Sequence, residues 1–324
     1  MISMRRFLFL MFLMVVGVSL PLYAQPAPPP PGQKGPPPGG GPGGSGGPGG
    51  QQSSAAKLGS DVPDLTSGVI TTNIDADVPA WIKDNFHGIR AYMKDGNVVL
   101  QTRSLPPYTT PYWGAGHARY TTDGMPKDLN PNKLKELAVT LVVSPKPTLA
   151  SPNLNSTAIE CPMGIIGIAV DGLVIFNNVA APPDYLANEV STFDNHDAHP
   201  TDRGVYHYHT EPAELIPTSG YHNELIGIAL DGFPIYGTQD DNGKYVIDGK
   251  GSMEKPNGNA TLNNWVSNEQ DPTPSGLPHY RAVANYYLKT TQASHNGAVK
   301  SGTVTPVFYL VGKYLGGKKG TITY

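Results

Sequence analysis

The chain has 324 residues, with 23 lysines and arginines against 26 aspartates and glutamates, and 39% of it is hydrophobic. A net charge of −3 with no basic patch excludes a nucleic-acid partner, because nothing would neutralise a phosphate backbone. A lone cysteine, Cys161, excludes an intramolecular disulfide, so the fold rests on its core and on whatever that core binds.

At the amino end, Met4-Arg5-Arg6 precedes an apolar run from Phe7 to Leu20, and Leu22-Tyr23-Ala24 offers a small residue for cleavage before Gln25. Residues 1–24 therefore predict a signal peptide, and the apolar run is short of the roughly 20 residues that span a bilayer. The expected location is secreted or periplasmic, with no stable membrane insertion once that segment is gone. Residues 25–60 follow as a Pro/Gly-rich linker, with ten prolines and eleven glycines between Pro26 and Gly50. Such a segment has too few apolar groups to offset the entropy of folding and is expected to be disordered. Residues 61–324 have globular composition and are long enough for a substantial core.

Within that region, Ala91 to Leu100 predicts a β-hairpin turning on Asp95-Gly96. Pro131 to Leu137 carries a helical signal, and Leu137 to Val143 a strand. A thirteen-residue stretch, Gly164 to Phe176, returns sixty residues later as Glu224 to Tyr236. Each copy sets two apolar runs around Asp-Gly (Asp171-Gly172 and Asp231-Gly232), which predicts paired hairpins with two-residue turns and makes both aspartates turn residues. Gly167 and Gly227 inside the first strands predict a bulge or a close backbone approach. A helix is expected from Pro183 to Val190 and strands at Tyr245 to Ile247 and Thr305 to Leu310. Together these give a mainly β fold, β-sandwich-like or irregular, with few short helices.

Between the two copies, His196, His199, His207 and His209 place four of the nine histidines within fourteen residues. If Gly204 to His209 is a strand, His207 and His209 share one face about 6.6 Å apart while Tyr206 and Tyr208 take the other. Two imidazoles so spaced can converge on one ion, and turn residues around Pro200, Asp202 and Gly204 can fold His196 and His199 back as further ligands. A polar network and metal-free acid–base work are the alternatives.

Tyr206-His207-Tyr208-His209, set between the two Ile-Gly-Ile-Ala-x-Asp-Gly hairpins, resembles the YHYH-domain proteins over about residues 161–237. The resemblance implies an extracytoplasmic domain without an assigned activity. It matches Asp194 to a family aspartate and His199 to a family histidine, puts His196 where relatives carry cysteine, and leaves a cysteine missing beyond Pro212. His199, His207 and His209 are thus the core of the expected metal set, with His196 and Asp194 as additions.

Three neutral imidazoles suit a transition metal, zinc or copper above others; Cys161 or Met163 would favour copper, and Asp194 or Asp197 zinc or iron. A zinc-bound water makes a metal-dependent hydrolase the alternative function, with Asp197 or Glu211 as general base. Tyr108, Tyr112 and Trp113 carry a third reading, a surface glycan-binding or adhesion module. Catalytic residues stay unassigned. His87, His117 and His222 are expected to be structural or exposed, and Asp240 to Gly243 a polar turn without calcium-loop spacing.

Overall fold

Alternation and continuous apolar runs in the sequence separate two kinds of strand. Val139-Thr140-Leu141-Val142-Val143 alternates, and its odd-numbered residues are buried while Thr140 and Val142 are half-buried. Ile165-Ile166-Gly167-Ile168-Ala169 does not alternate, and all five residues are buried, as in a strand covered on both faces.

The computed structural model describes residues 57–148, 159–160, 163–177, 189–215, 224–237, 265–266, 279–289, 304–309, 313–314 and 318–324. The expected signal peptide, most of the expected linker, Cys161, His222, Asp240 to Gly243, Tyr245 to Ile247 and most of the helix expected from Pro183 lie outside them. The strands run β1 (Asn73–Ile74), β2 (Arg90–Lys94), β3 (Asn97–Thr102), β4 (Val139–Val143), β5 (Ile159–Glu160), β6 (Ile165–Ala169), β7 (Val174–Phe176), β8 (Ala198–Pro200) and β9 (Tyr206–Tyr208). After these come β10 (Leu225–Ala229), β11 (Pro234–Tyr236), β12 (Trp265–Val266), β13 (His279–Arg281), β14 (Val283–Lys289), β15 (Val304–Tyr309), β16 (Lys313–Tyr314) and β17 (Thr321–Thr323).

They form a five-stranded sheet, β1-β2-β3-β4-β17, an eight-stranded sheet, β12-β13-β11-β10-β6-β7-β9-β8, and the pairs β14-β15 and β16-β5. Both larger sheets are mixed, since β1 runs parallel to β2, β7 to β9 and β11 to β13. Val98, Leu100, Leu141 and Val143 of the smaller sheet share one apolar core with Ile166, Ile168, Ile226, Ile228, Tyr206 and Tyr208 of the larger. The expected β-rich class holds. Among the described residues the α-helical content is one turn, α1 (Ala80–Lys83), which buries Trp81 and Ile82, and the single residue Glu189.

Pro131 to Leu137 is not a helix. Its amides bond across to other segments, Leu134 to the Tyr112 carbonyl, Lys135 to Gly204 and Leu137 to Arg103, so tertiary partners replace the i→i−4 ladder.

The eight-stranded sheet is palindromic. At its centre β6 and β10 run antiparallel, with Ile168 opposite its repeat partner Ile228. On either side comes a hairpin partner (β7 or β11), then a parallel strand (β9 or β13), then an antiparallel edge strand (β8 or β12). The hairpins slip register at the same place, between Ile165 and Gly167 and between Leu225 and Gly227. The thirteen-residue repeat is thus the visible part of a duplicated four-stranded unit.

The turns differ from the expected two-residue form. The amides of Ala169 and Gly172 bond to the carbonyls of Leu173 and Ala169, and the second copy repeats the pattern, giving three-residue loops, Val170-Asp171-Gly172 and Leu230-Asp231-Gly232. Only the glycines there take positive φ, +85° and +87°, whereas Asp95-Gly96 has both residues positive and does make the two-residue turn. Each loop aspartate caps its turn by accepting an amide, Leu173 or Phe233, and takes a phenol on its other oxygen, Tyr208 at 2.7 Å or Tyr280 at 2.5 Å.

Candidate metal centre

The Tyr-His-Tyr-His segment is a strand with two chemistries, one on each face. Tyr206 and Tyr208 point into the core, fully buried. Tyr208 donates to Asp171 and pairs with Tyr108 at 2.8 Å, while Tyr206 donates to Asp194 at 2.6 Å. Burial, followed by the nearby carboxylates, raises both phenols well above their ordinary range, so they remain donors. The tyrosines therefore lock β9 to the hairpin loop and to the segment before β8. His207 and His209 are left on the opposite face.

β8 supplies the third imidazole. The loop Asp202-Arg203-Gly204, with Gly204 at φ +88°, returns the chain so that His199 sits directly across from His207. The side-chain nitrogens of His199, His207 and His209 that can serve as ligands lie within 4.8 Å of one another, all three residues being buried. Bonds of about 2.1 Å to a common ion allow at most about 4.2 Å between two ligands, so a small closure brings all three onto one centre.

The hydrogen bonds fix which nitrogen faces that centre. His207 Nδ1 is 2.9 Å from the Val205 carbonyl and His209 Nδ1 2.6 Å from the Asn177 carbonyl; a carbonyl only accepts, so both Nδ1 atoms carry the proton. His199 Nδ1 lies 2.7 Å from Thr192 Oγ1, whose own hydrogen goes to the Glu189 carbonyl at 2.6 Å, so it too donates. Every Nε2 therefore presents a lone pair. Those of His207 and His209 face each other at 2.9 Å, and that of His199 has no hydrogen-bond partner. Burial, with neighbouring imidazoles adding to it, holds His199 and His207 well below the usual histidine range, and burial brings His209 down to about 4. Three unprotonated acceptors converging in a buried place repel unless a cation sits among them.

A pocket of about 450 Å³ opens on this centre, walled by Phe176, Met163, Glu189 and Asn177. Phe176 stacks on His207 with ring centroids 3.9 Å apart. The Met163 sulfur accepts from the Asn177 amide at 3.3 Å. Glu189, which nothing in the sequence singled out, places Oε2 3.5 Å from His209 Nε2 and 3.8 Å from His199 Nε2. It lies within the segment expected to be helical from Pro183 to Val190, is itself in α-helical conformation, and immediately precedes a 3-10 turn (Val190–Thr192), but no motif marks it as a ligand.

His196 and Asp194 do not join the three. Asn195-His196-Asp197 forms a loop of the same kind as the hairpin loops, with Asp197 at φ +62° where the others have glycine, and this swings His196 outward. Its Nδ1 meets Glu214 at 2.5 Å, its Nε2 meets the Thr109 carbonyl at 2.9 Å, and its ring stacks on Tyr108. Against the effect of burial, Glu214 and Asp194 raise its pKa. Asp194 spends both oxygens, Oδ2 on Thr110 and Tyr206 and Oδ1 on the amides of His196 and Ala198.

Neither Asp197 nor Glu211 lines the pocket. Glu211 is fully buried, and burial pushes its carboxyl up to about 7, with a Glu224 hydrogen bond opposing and Asp197 adding. A folded-state value above the ordinary 4.5 means that its contribution to stability is whole below that pH and is lost as pH rises toward 7. Glu211→Gln removes the ionisation, so its stability relative to wild type is expected to improve by about 3 kcal/mol between pH 4.5 and 7.5, as read by urea denaturation.

The aromatic residues of the glycan reading are occupied elsewhere. Tyr112 and Trp113 are buried, Tyr112 donates to the Thr192 carbonyl, Trp113 Nε1 to the Tyr108 carbonyl, and Tyr108 pairs with Tyr208. They offer no exposed stacking platform. His117 stacks on Trp113, and His87 lines a separate pocket of about 280 Å³ beside Asp171 and Glu214.

The fold and the site together define a β-rich domain built on a duplicated sheet, with a three-histidine centre in one of its halves. The family model described as YHYH protein matches residues 141–286, a span running from β4 into β14. No curated protein and no solved structure matches the chain.

Proposed function

We propose that this protein is an extracytoplasmic metal-binding domain that holds one transition metal ion, zinc or copper, through Nε2 of His199, His207 and His209. The observation that carries the reading is the convergence of three lone pairs whose tautomers are each fixed by a hydrogen bond to Nδ1. The extracytoplasmic location rests on the charged and apolar residues 1–24.

Among the described residues the duplication supplies one such centre. In the second half, the positions equivalent to His199, His207 and His209 hold Val266, His279 and Arg281, so a single histidine remains. The pocket favours a second reading, a metal-dependent hydrolase, because it leaves room for water beside the three imidazoles. A bound zinc ion would supply a water of lowered pKa there.

The test is metal content by inductively coupled plasma mass spectrometry on untagged protein, beside His207→Ala/His209→Ala. Wild type is expected to carry about one equivalent and the variant almost none. At free metal near 1,000 times Kd, binding to the folded state adds about 4 kcal/mol, so chelation is expected to lower the wild-type melting temperature by roughly 10 °C and leave the variant unmoved. Wild type that stays metal-free after incubation with zinc and copper overturns the reading.

A further inference from the structure

The protein's ligand set extends beyond the imidazoles. We infer that Glu189 is a fourth ligand to the ion held by His199, His207 and His209, which makes the centre a three-histidine, one-carboxylate site with its remaining positions facing the pocket. The inference rests on the metal-binding reading of the triad.

Distance supports it. Oε2 lies 3.5 Å and 3.8 Å from the Nε2 atoms of His209 and His199, longer than a good hydrogen bond. Neighbouring ligands around one ion with bonds of about 2.0–2.1 Å lie about 3 to 3.5 Å apart, so these are separations that a bound ion closes with little movement. Local structure gives a second, independent support. The Glu189 carbonyl accepts from Thr192 Oγ1, and that same oxygen accepts from His199 Nδ1–H. One turn thus sets the tautomer of His199 from behind and brings a carboxylate to the front of the same ring. Electrostatics gives a third. A carboxylate set beside imidazole lone pairs is repelled by them, and a cation between them reverses the sign.

The ligand set then narrows the metal. Three nitrogens and one hard oxygen suit a divalent first-row ion, whereas copper(I) would want sulfur. Met163 is on the pocket wall, but its sulfur already accepts from Asn177. A divalent ion with one carboxylate leaves the centre with a net positive charge, open to water or an anion from the pocket. Glu189 itself is 23% exposed, so exchange proceeds past it.

The test uses cobalt(II) as a spectroscopic probe on the full chain, with affinity read by chelator competition for wild type, Glu189→Gln, Glu189→Ala and His207→Ala/His209→Ala. Loss of a ligand is expected to weaken cobalt binding about 100-fold in both Glu189 variants and to change the visible d–d bands, while the metal-free melting temperature stays within a few degrees of wild type. Wild-type affinity and bands in Glu189→Gln would overturn the inference and leave the triad standing. Wild type that binds neither cobalt nor zinc would overturn both. Variants that lose cobalt only because the metal-free fold collapses also count against it, since a ligand on the pocket wall adds nothing to that fold.

Discussion

Asp194→Ala is expected to lower the unfolding free energy by about 4 kcal/mol, among the largest effects any single substitution in the described residues will have. The carboxylate is fully buried and accepts from Thr110, Tyr206 and the amides of His196 and Ala198. Alanine leaves two hydroxyls and two amides in a hole, and each unsatisfied donor costs about 1–3 kcal/mol before water enters. Against a total stability of about 5–15 kcal/mol, that is a large share. Tyr206→Phe removes one of the four contacts and is expected to cost about 1 kcal/mol. Asp194→Asn separates the structural role from a ligand role. It keeps the shape and an acceptor for the amides, the hydroxyls can turn to accept, and the loss is expected to be about half that of alanine. Since Asp194 holds β8 in place without facing the three imidazoles, folded Asp194→Asn is expected to bind metal at wild-type stoichiometry. Equilibrium denaturation together with metal analysis reads both, and a folded Asp194→Asn that binds no metal would put Asp194 back among the ligands.

Much of this site was legible because its information is local. The alternation of Tyr206, His207, Tyr208 and His209 assigns two residues to each face of a strand by period alone, and the structure uses both faces. What lies across the strand was not legible. His199 reaches the site by register with β9, and His196, three residues earlier, leaves it because a loop with Asp197 at positive φ intervenes. Spacing and residue type alone do not distinguish the two histidines; only the family resemblance ranked His199 above His196. The groups that set the tautomers are the carbonyls of Val205 and Asn177, and a carbonyl carries no residue signature. Asp-Gly likewise reads the same in a two-residue and a three-residue loop; only the φ of the aspartate separates them, positive at Asp95 and not at Asp171 or Asp231. The duplication was visible in its hairpins alone because the outer strands diverged. His207-Tyr208 corresponds to His279-Tyr280, but the spacing grows from sixty to seventy-two residues and the flanking ligands are gone.

The seam between the two halves is where the second large effect is expected. Gly227→Ala should destabilise the protein by about 3–4 kcal/mol, at the upper end of what overpacking does. A Cβ at Gly227 would lie 2.3 Å from the Ile168 carbonyl oxygen and 2.9 Å from the Ala169 Cα, and at Gly167 it would lie 2.5 Å from the Ile228 carbonyl oxygen. Those neighbours are backbone, which cannot rotate away as a side chain would. Relief requires β6 and β10 to move apart, which weakens the ladder that joins the duplicated units through Gly227↔Ala169 and Ala229↔Gly167. Gly96→Ala is the contrasting case. Gly96 takes φ +75° with nothing within 4 Å of its added Cβ, so only the local conformational penalty of about 1–2 kcal/mol is expected. Guanidinium denaturation of the two variants compares a steric effect between strands with a conformational one in a turn. Gly227→Ala within about 1 kcal/mol of wild type would mean that the seam is looser than these contacts require. The three histidines lie on β8, β9 and just past it, with at least two strands between them and that seam. A Gly227→Ala protein that still folds is therefore expected to bind metal as wild type does, so the junction of the halves governs whether the domain stands, and β8 and β9 govern what it holds.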